Sequence, residues 1–189
     1  PRGPPERARE WTERAGGLFA RLHAARPPAP LAASLASPAP ATRAALEVHA
    51  RIIGALDDRL GRRIEALARA VPEPAPAPAA LIHADASPDQ VLVDEAGAVL
   101  LTDFDRARMG AAALDVASYA ASAGPGLAPS FLRGYEQAGG RIPDDAPMAA
   151  AVVRARALSL ADPLREARPD WAARVAAALD LMEGGAPWH

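Results

Sequence analysis

The stretch that decides the fold is LIHADASPDQVLVDEAGAVLLTDFD, residues 81–105. It holds a His-x-Asp triplet at His83 and Asp85, an amide side chain at Gln90 and an Asp-Phe-Asp triplet that starts at Asp103. Two short apolar runs lie between these polar groups, and the Asp-Glu-Ala-Gly sequence that separates them favours a hairpin turn. A hairpin folds the chain back on itself, so we expect Asp85, Gln90 and Asp103 to share one cleft.

The chemistry of such a cleft follows from its oxygen atoms. Two carboxylates and an amide oxygen are hard ligands that suit Mg²⁺. A carboxylate close to the metal is also able to accept a proton from a hydroxyl nucleophile. We therefore predict strands over residues 90–93 and 98–103, a turn at 94–97, and a metal-dependent site at the open end of the hairpin.

The composition limits the class of protein. The chain has 189 residues, which fits one domain, and half of them are hydrophobic while only 4% are aromatic. We therefore expect a core of Leu, Val, Ile and Ala packed between helices. A net charge of -2 gives no electrostatic reason to bind nucleic acid or an anionic membrane. There is no cysteine, which excludes disulfides and fits a reducing, cytoplasmic compartment.

The apolar pattern predicts a mostly helical chain. Apolar residues recur every three or four positions before and after residues 81–105. The expected organisation is a first helix in 1–25, a Pro-rich irregular connector over 26–40, a long helix over 41–70, the loops and hairpin over 81–105, and C-terminal helices over 111–183, near 112–123, 127–138, 146–160 and 169–182. The fold class is therefore mainly α with a small β-hairpin (α+β), as one helical lobe over residues 1–189.

The motif resembles that of a known family. His83-x-Asp85, then Gln90, then Asp103-Phe104-Asp105 is similar to the catalytic and metal-binding loops of the aminoglycoside phosphotransferase and choline kinase family, whose fold is related to protein kinases. Two further segments, Leu114–Ala117 and Gly16–His23, also resemble helices of that family. The resemblance covers the C-terminal lobe of a protein-kinase-like fold and implies that the N-terminal nucleotide-binding lobe is missing from this chain.

The resemblance also implies a reaction and its residues. The family moves the γ-phosphoryl group of ATP or GTP to the hydroxyl of a small molecule with Mg²⁺. The implied roles are catalytic base for Asp85, metal ligands for Gln90 and Asp103, and supporting residues for His83, Asp105 and Asp115. The expected partners are a small hydroxyl substrate and the missing N-terminal lobe, without nucleic acid or a membrane. We expect the isolated chain to be inactive, and the sequence does not name the acceptor.

Two other functions stay open at this point. The chain has no lysine, and Gln90 stands where most members of the family have Asn. Both features would suit a non-catalytic binding or scaffold module derived from a kinase. A metal-dependent hydrolase built on His83, Asp85 and Asp103 is a third interpretation, but it lacks the extra histidines that such sites commonly use. His49 lies on an apolar helix face and is expected to be a packed, hydrogen-bonded residue.

Overall fold

The structure is a computed structural model that describes residues 5–36, 41–71, 78–142 and 144–184. In chain order the described helices are α1 Pro5–Ala24, α2 Ala29–Ser34, α3 Thr42–Gly54, α4 Asp58–Ala70, α5 Ala112–Ala123, α6 Ala128–Gln137, α7 Asp145–Leu158, α8 Asp162–Arg165 and α9 Trp171–Glu183. The described strands are β1 Ala79–Ile82, β2 Val91–Val93, β3 Val99–Leu101 and β4 Arg108–Ala111.

These elements form two compact units. The described part of the first unit comprises residues 5–36, 78–142 and 144–152. The described part of the second unit comprises residues 41–71 and 153–184. All of the predicted site residues belong to the first unit. The expectation of one lobe over residues 1–189 stays a prediction.

Two antiparallel strand pairs organise the first unit. β2 pairs with β3 in the register Val91↔Leu101, which confirms the predicted hairpin. Its turn is closed by the carboxylate of Asp94, which accepts a hydrogen bond from the Ala98 backbone at 2.7 Å. Gly97 takes the positive φ of 84° that the turn requires. β1 pairs with β4, and this second pair brackets the hairpin and both of its flanking loops.

The core of the first unit contains a cluster of aromatic side chains among buried Ala, Val and Ile residues, which the composition did not indicate. Phe19 of α1 meets Tyr119 of α5 and Phe131 of α6 edge-on, with ring centroids 5.6 Å apart in both contacts. Tyr119 and Phe131 stack at 4.1 Å. Phe131 also stacks with Tyr135 at 6.3 Å, so four of the five Phe and Tyr rings of the chain meet in this one place. The expected aliphatic core therefore holds for most buried positions of this unit, and the aromatic cluster is an addition to it.

Helices α1 and α6 cross at very short distance because two glycines lie at the crossing. A Cβ atom on Gly134 would collide with the backbone oxygen of Glu13, and one on Gly16 would collide with the backbone of Phe131. This close approach places the end of α1, with His23, beside α5 and α6.

The second unit has the aliphatic core that the sequence predicts. Its buried side chains come from four helices and from the turn between α7 and α8, and they are almost all Leu, Ile, Val and Ala; the largest are Leu46, Ile53, Leu60, Ile64, Leu160, Val175 and Leu179. Arg63 of α4 pairs with Asp180 and Glu183 of α9 on the outside of this core. The pattern of three- and four-residue spacings therefore identified most of the buried face, although Leu56, which continues the spacing, is 63% exposed.

The single long helix over 41–70 is wrong. α3 ends at Gly54 and α4 begins at Asp58, after a turn in which Asp57 donates its backbone N–H to Ile53 at 2.8 Å. The Asp57 carboxylate accepts a hydrogen bond from the Leu60 backbone at 3.0 Å, which is the bond of a helix N-cap. The buried spacing continues across this turn, from Ile53 to Leu60, so periodicity alone did not reveal the break.

Three smaller differences concern short elements. The connector 26–40 contains α2, whose first turn holds Pro30, a position that accepts proline because its N–H is not needed there. The pair of β1 with β4 and the single turn of α8 were also not predicted. The predicted C-terminal helices otherwise match α5, α6, α7 and α9 within about two residues.

Residues 1–4, 37–40 and 72–77, where proline-rich segments were expected, lie outside the described residues. None of the described helices has the length and apolar character needed to cross a membrane.

Candidate active site

Two loops carry all of the predicted site residues except Asp115, which lies in α5, and hydrogen bonds join the two loops. The first loop is residues 83–90, between β1 and β2, and the second loop is residues 102–106, after β3. Thr102 donates its backbone N–H to the Gln90 oxygen at 3.0 Å, which extends the hairpin by one bond. The ring nitrogen Nε2 of His83 donates to the Thr102 oxygen at 2.7 Å. The loops are therefore tied to each other at the base of the hairpin.

Each loop contains one residue with a left-handed backbone. Ala84, directly before Asp85, has a φ of 65°, and Asp103 has a φ of 60°. Residues other than Gly, Asn and Asp seldom adopt this left-handed region, because it costs an L-residue roughly 1 kcal/mol. Residues of this kind concentrate at functional sites, where surrounding bonds hold them in place.

The carboxylate of Asp115 holds the first loop in this conformation. Asp115 lies in the first turn of α5 and is 1% exposed. Its Oδ2 accepts the backbone N–H of His83 at 2.6 Å, and its Oδ1 accepts the backbone N–H of Ala84 at 2.8 Å. His23 at the end of α1 lies with Nε2 3.1 Å from Oδ2. One buried carboxylate thus binds donors from two separate segments of the chain.

The network continues from His23 to Tyr135 on α6. His23 Nδ1 lies 2.8 Å from the Tyr135 hydroxyl. Burial, together with the nearby negative charge of Asp115, raises the pKa of Tyr135 to about 12. The hydroxyl therefore keeps its proton, and the geometry is satisfied when Tyr135 donates to Nδ1 and Nε2 donates to Asp115. Sequence reasoning gave no site role to either His23 or Tyr135.

His83 is an interior residue. Its side chain is fully buried, and its ring lies 4.9 Å from that of Phe104 and 5.9 Å from that of Phe19. Its Nδ1 atom is buried and forms no hydrogen bond within the described part of the chain. His83 therefore links the two loops through its Nε2 hydrogen bond and its contact with Phe104.

Asp85 lies at the surface and pairs with a cation from the second loop. Its Oδ2 is 3.5 Å from Nη1 of Arg106, and both side chains are partly exposed. This distance is longer than that of a normal hydrogen bond, so the pair is loose. Arg106 was not among the predicted site residues. Its position three residues after Asp103, in a loop of acidic residues, is the signal that could have identified it.

The predicted metal ligands lie at the end of the first loop and near the start of the second loop. Gln90 ends a short 3-10 turn and is half-buried, whereas Asp103 is exposed. Asp105 is also exposed, in the 3-10 turn Phe104–Arg106. Among the described residues, no three His, Cys, Asp or Glu side chains form a group that could hold a metal. The carboxylates of Asp85 and Asp103, the amide oxygen of Gln90 and water are together the kind of oxygen donors that Mg²⁺ prefers. The ligand roles stay predictions.

Residues 1–151 match the sequence model of APH, the phosphotransferase enzyme family. The chain belongs to this family. The predicted family is therefore confirmed. None of the curated proteins matches the sequence.

Two solved structures share the fold of this family member. One is a crystal structure of spectinomycin phosphotransferase in complex with ADP and spectinomycin, with a TM-score of 0.57 and 14% identity, in which the match covers 94% of this chain and 61% of that chain. The other is macrolide 2'-phosphotransferase type I, with a TM-score of 0.51 and 20% identity, covering 89% of this chain and 58% of that chain. The chain thus spans about three-fifths of the length of either structure. The predicted fold, mainly α with a small hairpin in a kinase-like phosphotransferase, is confirmed.

Proposed function

We propose that this chain is the C-terminal lobe of a small-molecule phosphotransferase that moves the γ-phosphoryl group of ATP or GTP to a substrate hydroxyl with Mg²⁺. The observation that carries the proposal is the tie between the two loops, in which Thr102 bonds to both Gln90 and His83. The contact of Arg106 with Asp85 at 3.5 Å also joins the second loop to the residue proposed as base in the first. Family membership favours this function over a metal-dependent hydrolase.

Asp85 is the residue proposed to act on the acceptor. In the reaction, the hydroxyl proton passes to Asp85, a bond forms between the hydroxyl oxygen and the γ-phosphorus, and the bond from that phosphorus to the nucleoside diphosphate breaks. The ion pair with Arg106 engages Oδ2 of Asp85. Oδ1 is then the atom that would accept the proton.

Gln90 and Asp103 are proposed to hold the metal. Bound Mg²⁺ would neutralise oxygens of the phosphate groups and orient them. Asp105 is proposed to support the metal ligands, while His83 and Asp115 are proposed to hold the loops in register. Little covalent chemistry is required of the protein, since positioning and charge supply most of the rate.

The solved relatives support the classes of donor and acceptor. The spectinomycin enzyme is described with ADP and spectinomycin, and the second enzyme is named for macrolides. We infer a nucleotide donor and a small-molecule acceptor for this protein, in the cytoplasm. The other lobe is inferred to supply the remaining nucleotide contacts, and the chain alone is therefore expected to show no useful turnover.

The test uses the protein that carries both lobes, assayed for nucleotide consumption with a panel of hydroxyl acceptors. Asp85→Asn is expected to lower kcat by roughly 10²–10⁴-fold, the usual contribution of a general base. The matched control is Asp89→Asn, because Asp89 is an exposed acid in the same loop with no proposed role. Unchanged turnover in the Asp85 variant would remove Asp85 from the reaction.

A non-catalytic binding or scaffold module is the second candidate. It is favoured by the absence of lysine from the chain and by Gln90, which has a longer side chain than the Asn usual at this position. Calorimetry of the two-lobe protein with Mg-ATP and Mg-GTP separates the candidates. Tight, metal-dependent nucleotide binding supports the enzyme, and its loss in Asp103→Ala would assign the metal to that residue.

A further inference from the structure

Arg106 has a place in the site that the proposed function does not use. It ends the 3-10 turn Phe104–Arg106, whose closing bond runs from the Ala107 N–H to the Phe104 oxygen at 2.9 Å. This turn therefore fixes the backbone of Arg106, which lies three residues after Asp103. Its side chain reaches to Asp85, on the other loop. One cation thus spans the distance between the proposed base and the proposed metal-binding loop.

The pair with Asp85 is built to open easily. It is a single contact of 3.5 Å, and the two side chains are 59% and 39% exposed. Exposed pairs of this kind contribute only about 0–1 kcal/mol. A competing anion of higher charge would therefore draw the guanidinium away from Asp85 at small cost.

The reaction places such an anion within reach. A base must lie about 2.6–3.2 Å from the acceptor oxygen, and that oxygen about 3–3.5 Å from the phosphorus that it attacks. The transferring phosphoryl group is therefore within about 7 Å of the Asp85 carboxylate. Arg106 already contacts that carboxylate, and guanidinium matches phosphate oxygens with two parallel N–H groups.

We propose that Arg106 is a further catalytic residue, which pairs with Asp85 when no nucleotide is bound and moves its guanidinium to the γ-phosphoryl oxygens when the nucleoside triphosphate binds. The inference rests on the proposed function. Release of Asp85 then coincides with the arrival of the group to be transferred. Oδ2 of Asp85 therefore loses its cationic partner at the step in which the base is needed.

The first experiment measures binding by calorimetry, with the two-lobe protein and Mg²⁺. The probes are ADP and the non-hydrolysable β,γ-imido analogue of ATP, which differ by the γ-phosphate. Arg106→Ala is expected to weaken the analogue by about tenfold and to leave ADP within a factor of two, because only the γ-phosphate contacts the guanidinium. Equal effects on the two nucleotides, or none on either, would overturn the proposal.

A double-mutant cycle tests the exchange of partners. Asp85→Asn removes the competitor, so the affinity for the analogue should rise, and this rise should vanish when Arg106→Ala is also present. An equal rise in both backgrounds would mean that Arg106 and Asp85 are not coupled, which contradicts the exchange. A merely structural role for Arg106 predicts no such dependence.

Turnover gives a second readout. Arg106→Ala should lower kcat by about 100-fold with little change in the KM of the acceptor, and added guanidinium ion should restore part of the loss. Arg106→Lys, which keeps the charge, should have a kcat between those of the wild type and Arg106→Ala. The matched control is Arg133→Ala, because the pair Arg133–Glu13 has similar exposure, 52% and 32%, in the same unit. An effect of the control as large as that of Arg106→Ala would refute a specific role.

The two hypotheses fail in different ways. If the wild-type protein binds neither nucleotide and transfers nothing, the proposed function is wrong, and this inference with it. If wild-type transfer is normal and Arg106→Ala matches the wild type in kcat and in analogue affinity, only the inference is wrong.

Discussion

Asp115 accepts the backbone N–H of His83 at 2.6 Å, although 32 residues separate the two in the chain. The same carboxylate bonds to Ala84 and lies against His23. A helix that follows the second loop therefore fixes the conformation of the first. The geometry around Asp85 depends on this contact, because Ala84, its direct neighbour, has a left-handed backbone.

The first prediction concerns this contact. Asp115→Asn should destabilise the protein by about 3 kcal/mol, because one amide oxygen replaces two carboxylate oxygens and the amide N–H₂ faces a buried donor. Urea unfolding measures the change as a lower midpoint at constant slope. Asp58→Asn is the control, since Asp58 forms an exposed pair with Arg62 and should change stability by less than about 1 kcal/mol. Equal midpoints for the two variants would contradict the buried role of Asp115.

The second prediction concerns alkaline pH. Burial raises the pKa of both Tyr119 and Tyr135 to about 12; for Tyr119 a hydrogen bond with Thr12 opposes the shift, and for Tyr135 the charge of Asp115 adds to it. A raised folded-state pKa means that the stabilising contribution is complete below the ordinary value of 10.0 and is lost as the pH rises towards 12. Tyrosinate absorbance should therefore appear only above pH 10, together with loss of the folded signal. Because the chain has just these two tyrosines, normal titration near pH 10 in the folded protein would show that they are not buried.

The third prediction concerns acid pH and the second unit. Burial lowers the pKa of His49 from its ordinary value of 6.5; a backbone hydrogen bond with Ala157 and the charge of Asp162 oppose the shift, and Arg165 adds to it. The unfolded chain then takes up the proton before the folded chain does. Stability should fall as the pH drops below 6.5 towards the lower folded-state value. His49→Gln should flatten the profile of unfolding free energy between about pH 7 and pH 5, above the range in which carboxyl groups titrate. A profile identical to that of the wild type would exclude His49 as its source.

Local signals in the sequence predicted the local parts of the fold. The hairpin was readable because apolar strands and a Gly-containing turn lie within 25 residues of chain, and α5 was readable from its continuous apolar pattern. The break between α3 and α4 was also present in the sequence, in the Asp57 N-cap. The continuous spacing of buried residues hid this break, because the buried faces of both helices pack against one core.

Contacts between residues that are distant in the chain could not be predicted from the sequence. β1 pairs with β4 across the whole site region, and β4, Arg-Met-Gly-Ala, has no strand pattern of its own. His23 meets Tyr135 across 112 residues, and no local feature marks Tyr135 as its partner. The motif predicted which residues carry the chemistry, whereas the contact of Arg106 with Asp85 came from the three-dimensional fold.

The last prediction separates the stability of the second loop from its function. Asp103 has a φ of 60°, a conformation that glycine adopts without cost, that Asn tolerates and that Ala disfavours by roughly 1–2 kcal/mol. Asp103→Gly should therefore be at least as stable as the wild type in urea, Asp103→Asn close to it, and Asp103→Ala the least stable. If Asp103 is a metal ligand, all three variants should nevertheless lose Mg²⁺-dependent nucleotide binding in the two-lobe protein. A gain in stability together with a loss of binding in Asp103→Gly is expected where a residue is kept for its chemistry at the expense of its backbone. If Asp103→Gly proved less stable than Asp103→Ala, the left-handed conformation would be refuted. Unchanged metal dependence in all three variants would leave Asp103 with no part in binding the metal.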